Sequence, residues 1–204
     1  MKTEIYKPLK KYISSLNETE LAGDRITKLL SLVEYIQLNK NEGTSLKLNF
    51  ICTHNSRRSH LCQVWAKTMA AHYGLKVKSY SGGTEATAVY PTIIKTFQNT
   101  GFMIDKVSEG SNPTYKLNFT DDNYPMTLFS KRYNDRYNPN EAYAAVMTCN
   151  DADANCPIIP AATRISLPYV DPKVSDGTAD ELEIYSERSR QIATEMKYIF
   201  SQIK

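Results

Sequence analysis

The chain has no apolar run near the roughly 20 residues that a membrane-spanning helix needs, and its N-terminal stretch lacks the apolar core of a secretory signal. A cytoplasmic location is expected. Four cysteines in 204 residues are too few for a disulfide scaffold, so a reducing compartment with catalytic or redox-active thiols is the better account. There are only three histidines, and none stands at ligand spacing from the cysteines, so no metal or other cofactor is called for. Charge of one sign is also lacking. The net +3 is small and Lys/Arg alternate with Asp/Glu, which argues against nucleic acid as a partner. What the chain does have is 41% hydrophobic residues, enough to bury one respectable core.

The most informative segment is Leu48-Asn-Phe-Ile-Cys-Thr-His-Asn-Ser-Arg-Arg-Ser59. Alternating Leu46, Leu48 and Phe50 read as a strand. Leu61, Val64, Trp65, Met69 and His72 read as the inner face of a following helix. Cys52 and Arg58 thus bracket a strand-to-helix turn. The five residues between them, Thr53, His54, Asn55, Ser56 and Arg57, can curl so that backbone N–H groups point at one anion, and the helix N-terminus adds partial positive charge there. Phosphate, sulfate or arsenate fits such a loop. Arg58 can grip two oxygens with its planar fork. Ser59 is placed to bond the Cys52 sulfur, and Asn55 to hold the loop backbone. The bland alternative is a buried cysteine beside a surface arginine.

The order of elements suggests a parallel α/β sandwich. Residues 8–16 and about 19–38 look helical, the second with Ile26, Leu29, Leu30, Val33 and Ile36 on one face and closed by Gly43. After the Cys52 strand and its helix come a strand near Val77–Ser81, a Gly82-Gly83 turn, and a helix from Pro91 ending before Gly101. Tyr115–Phe119 and Thr127–Ser130 look like an extra pair of short strands. A strand over Tyr143–Thr148 follows, and a last helix is expected to start at a capping box, Thr178-Ala-Asp-Glu181. In open sheets of this kind ligands bind beyond the carboxyl ends of the strands, so Cys52 and Cys149 should share one edge.

Four further residues attract attention. Cys149 and Cys156 lie seven apart, about 10 Å along a helix, beyond the roughly 7 Å between Cα atoms that a disulfide tolerates. A bridge there requires the segment to loop or unwind, and two unrelated thiols remain the alternative. Asp171, before Pro172, is either a general acid over the site or an ordinary turn aspartate. Cys62, inside the helix after the loop, reads as core.

Together, Cys52-Thr-His-Asn-Ser-Arg-Arg-Ser59, Ser81-Gly-Gly-Thr-Glu85, Cys149-Asn-Asp-Ala-Asp-Ala-Asn-Cys156-Pro157 and Asp171-Pro172 resemble the low-molecular-weight protein tyrosine phosphatase fold, closest to its thioredoxin-coupled arsenate reductase branch. The likeness covers about residues 46–204. It implies a three-layer sandwich with a central four-stranded parallel sheet, an inserted β-hairpin, and a helical extension over residues 1–45. It also implies roles. Cys52 attacks the oxyanion, Arg58 and the loop stabilise it, and Asp171 protonates the leaving oxygen of a phosphomonoester. In a reductase, Cys149 attacks the Cys52 sulfur and Cys156 resolves the result into a Cys149–Cys156 disulfide for a thioredoxin-type reductant. Arsenate reduction is preferred to phosphoester hydrolysis because those two thiols are otherwise idle; a non-catalytic oxyanion-binding module is the third reading. The N-terminal helices must cover their apolar faces, by packing on the same chain or on a second copy, and a monomer or weak homodimer is expected.

Overall fold

Apolar residues alternate along Leu46–Cys52 (β1), and the side chains divide between two faces of a sheet as a strand requires. The computed structural model describes residues 4–122, 124–155, 159 and 161–204. β1 pairs in parallel with Val77–Gly83 (β2) on one side and Tyr143–Met147 (β6) on the other, and β6 pairs with Ala162–Ser166 (β7), so the order is β2-β1-β6-β7. This is the expected four-stranded parallel sheet. Between β2 and β6 run helix Pro91–Thr100 (α4) and a separate antiparallel sheet of Met103–Lys106 (β3), Tyr115–Asn118 (β4) and Met126–Leu128 (β5).

The insert therefore has three strands rather than the expected pair. β3 is an edge strand with no fully buried residue, so its sequence carries no alternation to read. A second correction concerns Gly82 and Gly83, which continue β2 and form no turn. A Cβ at Gly82 would stand 2.8 Å from the Tyr133 backbone nitrogen and still closer to its Cα; one at Gly83 would stand 2.7 Å from both Asn55 N and Thr53 O. Glycine is required there because other backbones approach.

Most of the core lies on one face of the sheet. Leu46, Leu48, Phe50, Ala144 and Val146 meet helices Lys7–Ser14 (α1), Gly23–Asn41 (α2), Arg58–His72 (α3) and Glu181–Ser201 (α6) in one buried cluster. Tyr185, Ile192, Met196, Ile199 and Phe200 form the inner stripe of α6. Its start differs from the expected capping box: Thr178 caps nothing in α6, and the Glu181 carboxylate accepts from the Gly177 N–H and the Thr92 hydroxyl. On the opposite face a small cluster holds Ile51, Cys52, Tyr143, Ala145, Met147, Cys149 and Ala152. Short helix Asn150–Asn155 (α5) follows β6 on that side.

The N-terminal helices pack within this chain. α1 carries Pro8 in its first turn, where proline is suited, and buries Leu9 and Ile13. α2 buries Leu29 and Ile36 of the expected face together with Leu32, which was not expected, whereas Leu30 is 39% exposed. Residues 18–20 form a 3₁₀ turn capped by Asn17 instead of the start of α2. No helix among the described residues is long and apolar enough to cross a membrane.

Because Leu32 is fully buried, Leu32→Ala should lower unfolding stability by about 2–5 kcal/mol. The control Leu38→Ala, at a position 57% exposed, should change it by less than about 0.5 kcal/mol, both read from denaturant midpoints.

Candidate active site

Register places the key residues. Cys52 ends β1 opposite Gly83, and Ile51 is paired with Met147, so the strand ends of β1 and β6 bring Cys52 and Cys149 to the same edge. Cys52 is buried, with its sulfur 3.1 Å from Ser59 Oγ. Ser59 Oγ in turn accepts from Asn55 Nδ2 at 2.8 Å.

The loop's shape follows from where its carbonyls go. Cys52 O accepts from Thr84 N–H (3.1 Å) and Thr53 O from Glu85 N–H (2.8 Å). His54 O accepts from the Thr87 and Ser130 hydroxyls (3.1 and 2.9 Å), Asn55 O from His60 Nε2 (2.9 Å), and Ser56 O from Tyr90 N–H (3.1 Å). Five successive carbonyls are thus held by the surrounding shell. In a trans peptide the N–H points opposite to the carbonyl, so the N–H groups of residues 53–57 turn toward the inside of the loop. No side chain caps the N-terminus of α3, which opens onto the same space. The loop's left-handed residue is Asn55, with φ 44°, a residue type that tolerates this conformation. Its Oδ1 accepts from Lys131 N–H at 2.8 Å, which ties the loop to the segment after β5.

Arg58 completes the rim. Its Nη1 donates to Tyr169 O (3.0 Å) and its Nη2 to Asp171 Oδ2 (2.6 Å). Its Nε is buried and has no partner among the described residues. Asp171 also accepts from Lys173 N–H at 3.1 Å, so the sequence-derived acid sits at the loop with its carboxylate fixed. Arg57 enters the loop by its backbone while its guanidinium turns away. It donates to Tyr185 OH and to Asp176 Oδ2, both at 2.5 Å, and lies 4.0 Å over the Tyr90 ring. His54 is exposed beside Glu85, at 3.6 Å.

Cys149 is buried, and its sulfur accepts from Ala152 N–H at 3.3 Å and lies 3.6 Å from Thr53 Oγ1. Cys156 lies outside the described residues. Cys62 is fully buried in the main core, and burial pushes its thiol well up, so it is a poor nucleophile.

Sequence reasoning missed the residues that brace this site from afar. Arg25 of α2 grips Glu195 of α6 with two bonds (2.9 and 2.8 Å), donates to Pro168 O at 3.0 Å, and lies 4.6 Å over the Tyr169 ring. That arginine holds the segment whose carbonyl and carboxylate receive Arg58. Asp176, Tyr185, Lys131 and His60 were missed as well. A Cys-x5-Arg spacing signals the loop, whereas nothing local signals the partners of Arg25, Lys131, Asp176 and Tyr185, more than 70 positions away. His60 bonds Asn55 only five positions back, and its place beside the loop was the signal available.

A nucleophilic sulfur at the floor of an N–H-lined loop, with an arginine and a carboxylate at its rim, defines a cysteine-dependent oxyanion enzyme. Residues 47–120 match the model of the family described as low molecular weight phosphotyrosine protein phosphatase. Arsenate reductase 2 of Staphylococcus haemolyticus is 35% identical over 111 residues, 54% of this chain and 66% of that one. Arsenate reductase 2 of Staphylococcus epidermidis is 33% identical over 115 residues, 56% and 69% of the two chains. The chain thus spans about two thirds of these relatives' length. The low-molecular-weight protein tyrosine phosphatase of T. tengcongensis superposes with a TM-score of 0.52 at 12% identity, covering 78% of this chain and all of that one, which shows a shared fold. The chain belongs to the low-molecular-weight phosphotyrosine protein phosphatase family, with relatives named arsenate reductases, and it is an enzyme of one of these two types.

Two predictions follow from the bracing. Burial, and then the Lys131 charge, push the His60 pKa down to about 3. Unfolded, this imidazole takes a proton below about pH 6.5, so the stability tied to its neutral form is complete above that pH. It falls by about 1.4 kcal/mol per pH unit as the pH drops toward 3. Between pH 6.5 and 5 the denaturant midpoint of His60→Gln should therefore fall less than that of the wild type, by about 2 kcal/mol in stability. Arg25→Gln strands the buried Glu195 and frees Pro168. It should cost about 3–5 kcal/mol in stability, and in the folded enzyme should lower kcat more than phosphate affinity.

Proposed function

We propose that this enzyme reduces arsenate to arsenite through a Cys52, Cys149, Cys156 relay. The observation that carries the reading is the Cys149 sulfur 3.6 Å from Thr53 Oγ1, a second thiol at the oxyanion loop where a hydrolase needs only one. Arsenate enters the N–H cradle with its oxygens on Arg58. The Cys52 sulfur attacks arsenic, and a hydroxyl leaves as water after taking a proton, forming an S–As bond. Cys149 then attacks the Cys52 sulfur. The S–As bond breaks with its electron pair going to arsenic, so arsenic(V) becomes arsenic(III), and a Cys52–Cys149 disulfide forms. Cys156 attacks Cys149, freeing the Cys52 thiol and leaving a Cys149–Cys156 disulfide for an external dithiol of the thioredoxin type. In this reading residues 46–204 carry the chemistry, residues 1–45 brace the Asp171 segment, and a reducing cytoplasm keeps the thiols ready.

Phosphomonoester hydrolysis is the second reading, favoured by the Asp171 carboxylate 2.6 Å from Arg58, at the rim where a leaving alcohol needs a proton. There Cys52 forms a cysteinyl-phosphate that water hydrolyses. The two readings part at Cys149. Reduced protein treated with arsenate, alkylated and mapped by peptide mass should contain a Cys149–Cys156 disulfide that a phosphate-treated control lacks. Cys149→Ser should abolish arsenate turnover by at least about a hundredfold and spare hydrolysis of an aryl phosphate. Free thiols in both samples would transfer the assignment to hydrolysis.

A further inference from the structure

A cavity of about 290 Å³ lies behind the oxyanion loop, between α3, β2 and the insert. None of residues 52–58 lines it, although Lys131, which does, donates its N–H to Asn55 of the loop. Three lysines, Lys67, Lys78 and Lys131, line it, and no aspartate or glutamate does. None of the three forms an ion pair among the described residues. The carboxylates that reach them act only from a distance, Asp122 on Lys67 and Asp135 on Lys131.

Lys131 is the decisive residue. It is 4% exposed, yet among the described residues its ammonium has only the Phe129 carbonyl at 3.4 Å and the Phe129 ring at 4.5 Å. A buried ammonium needs a counter-charge or several strong acceptors, and this one has neither. Gln63, 5% exposed, is on the same wall, and its buried Oε1 has no partner among the described residues. Lys67 spends one donor on Val77 O at 2.9 Å and keeps the others. Lys78 stands exposed at the mouth. Beside Lys131, Phe129 and Tyr137 pack edge to face at 5.2 Å and line the cavity with two rings.

We propose that this cavity is a second binding site, for a small organic phosphate whose anionic head meets Lys67, Lys78 and Lys131 and whose apolar body lies on Phe129 and Tyr137. Three amines neutralise a dianion. The volume suits a head and one ring, and excludes a protein segment. Binding here is independent of whether Cys52 works as a reductase or a hydrolase, because it uses none of the loop's atoms.

The test uses benzylphosphonate, which resists hydrolysis, and the Met126 methyl group, which lines the cavity. In protein labelled with ¹³C at methionine methyls, the Met126 signal, assigned by its loss in Met126→Leu, should shift saturably on titration. Lys78→Glu, at an exposed position that does not threaten folding, should weaken the apparent Kd about tenfold or more, and Lys131→Leu likewise. Arg58→Gln, which cripples the loop, should leave the Met126 titration unchanged. Inorganic phosphate should bind more weakly than benzylphosphonate. A Met126 signal that never moves, that moves equally in Lys78→Glu, or that stops moving in Arg58→Gln would overturn the proposal. Equal affinity for inorganic phosphate would remove the aromatic wall from it.

Discussion

Five carbonyls drawn outward are the constraint on which the rest of the site depends. An oxyanion cradle needs N–H groups converging on one point, and backbone left to itself would satisfy those groups on itself. Here the shell pulls from the other side: Thr84 and Glu85 after β2, Thr87, Tyr90, Ser130 and His60 each take a carbonyl. The shell explains features that otherwise look unrelated. Gly82 and Gly83 let strand and loop approach within reach of these bonds. Burial and the Lys131 charge keep His60 neutral, with Nε2 on Asn55 O and Nδ1 at 3.3 Å from the Ser81 hydroxyl. The insert, which lies outside the parallel sheet, contributes Ser130 and Lys131 to the loop and so belongs to the site.

Much of this was legible in the chain. The loop from Cys52 to Arg58 is local, so strand alternation, spacing and helix start appear in one stretch of sequence. The four motifs in order carried the fold, and the central strands β1 and β6 read clearly because they are buried on both faces. Edges were harder: β3 buries none of its residues fully and β7 one, leaving no periodic signal. Leu32 and Leu30 are chemically alike, and only the packing angle of α2 decides which is inside. Glu181 has the sequence of a capping box, but Gly177 and Thr92 offered it better donors. Arg25, Asp176 and Tyr185 were invisible for a different reason, since their meaning comes from partners far along the chain.

The sheet also sorts the thiols by fate. Cys52 and Cys149 occupy the small cluster on one face, where the strand ends open to the loop, whereas Cys62 faces the large core among helices. Alternation along a strand and periodicity along a helix do this sorting, with no special chemistry at Cys62 beyond burial. A thiol probe of moderate size therefore meets different barriers at different cysteines of the same folded chain.

The Arg25–Glu195 contact spans 170 residues of sequence. A ribosome adding about 5–20 residues per second separates the two by roughly ten to thirty seconds. For most of that interval α2 exists while the last helix that packs on it has not been made, so its leucine stripe lacks that cover. The brace that steadies the finished enzyme thus makes the nascent chain dependent on late closure, and on whatever shelters an exposed amphipathic helix until the last helix arrives.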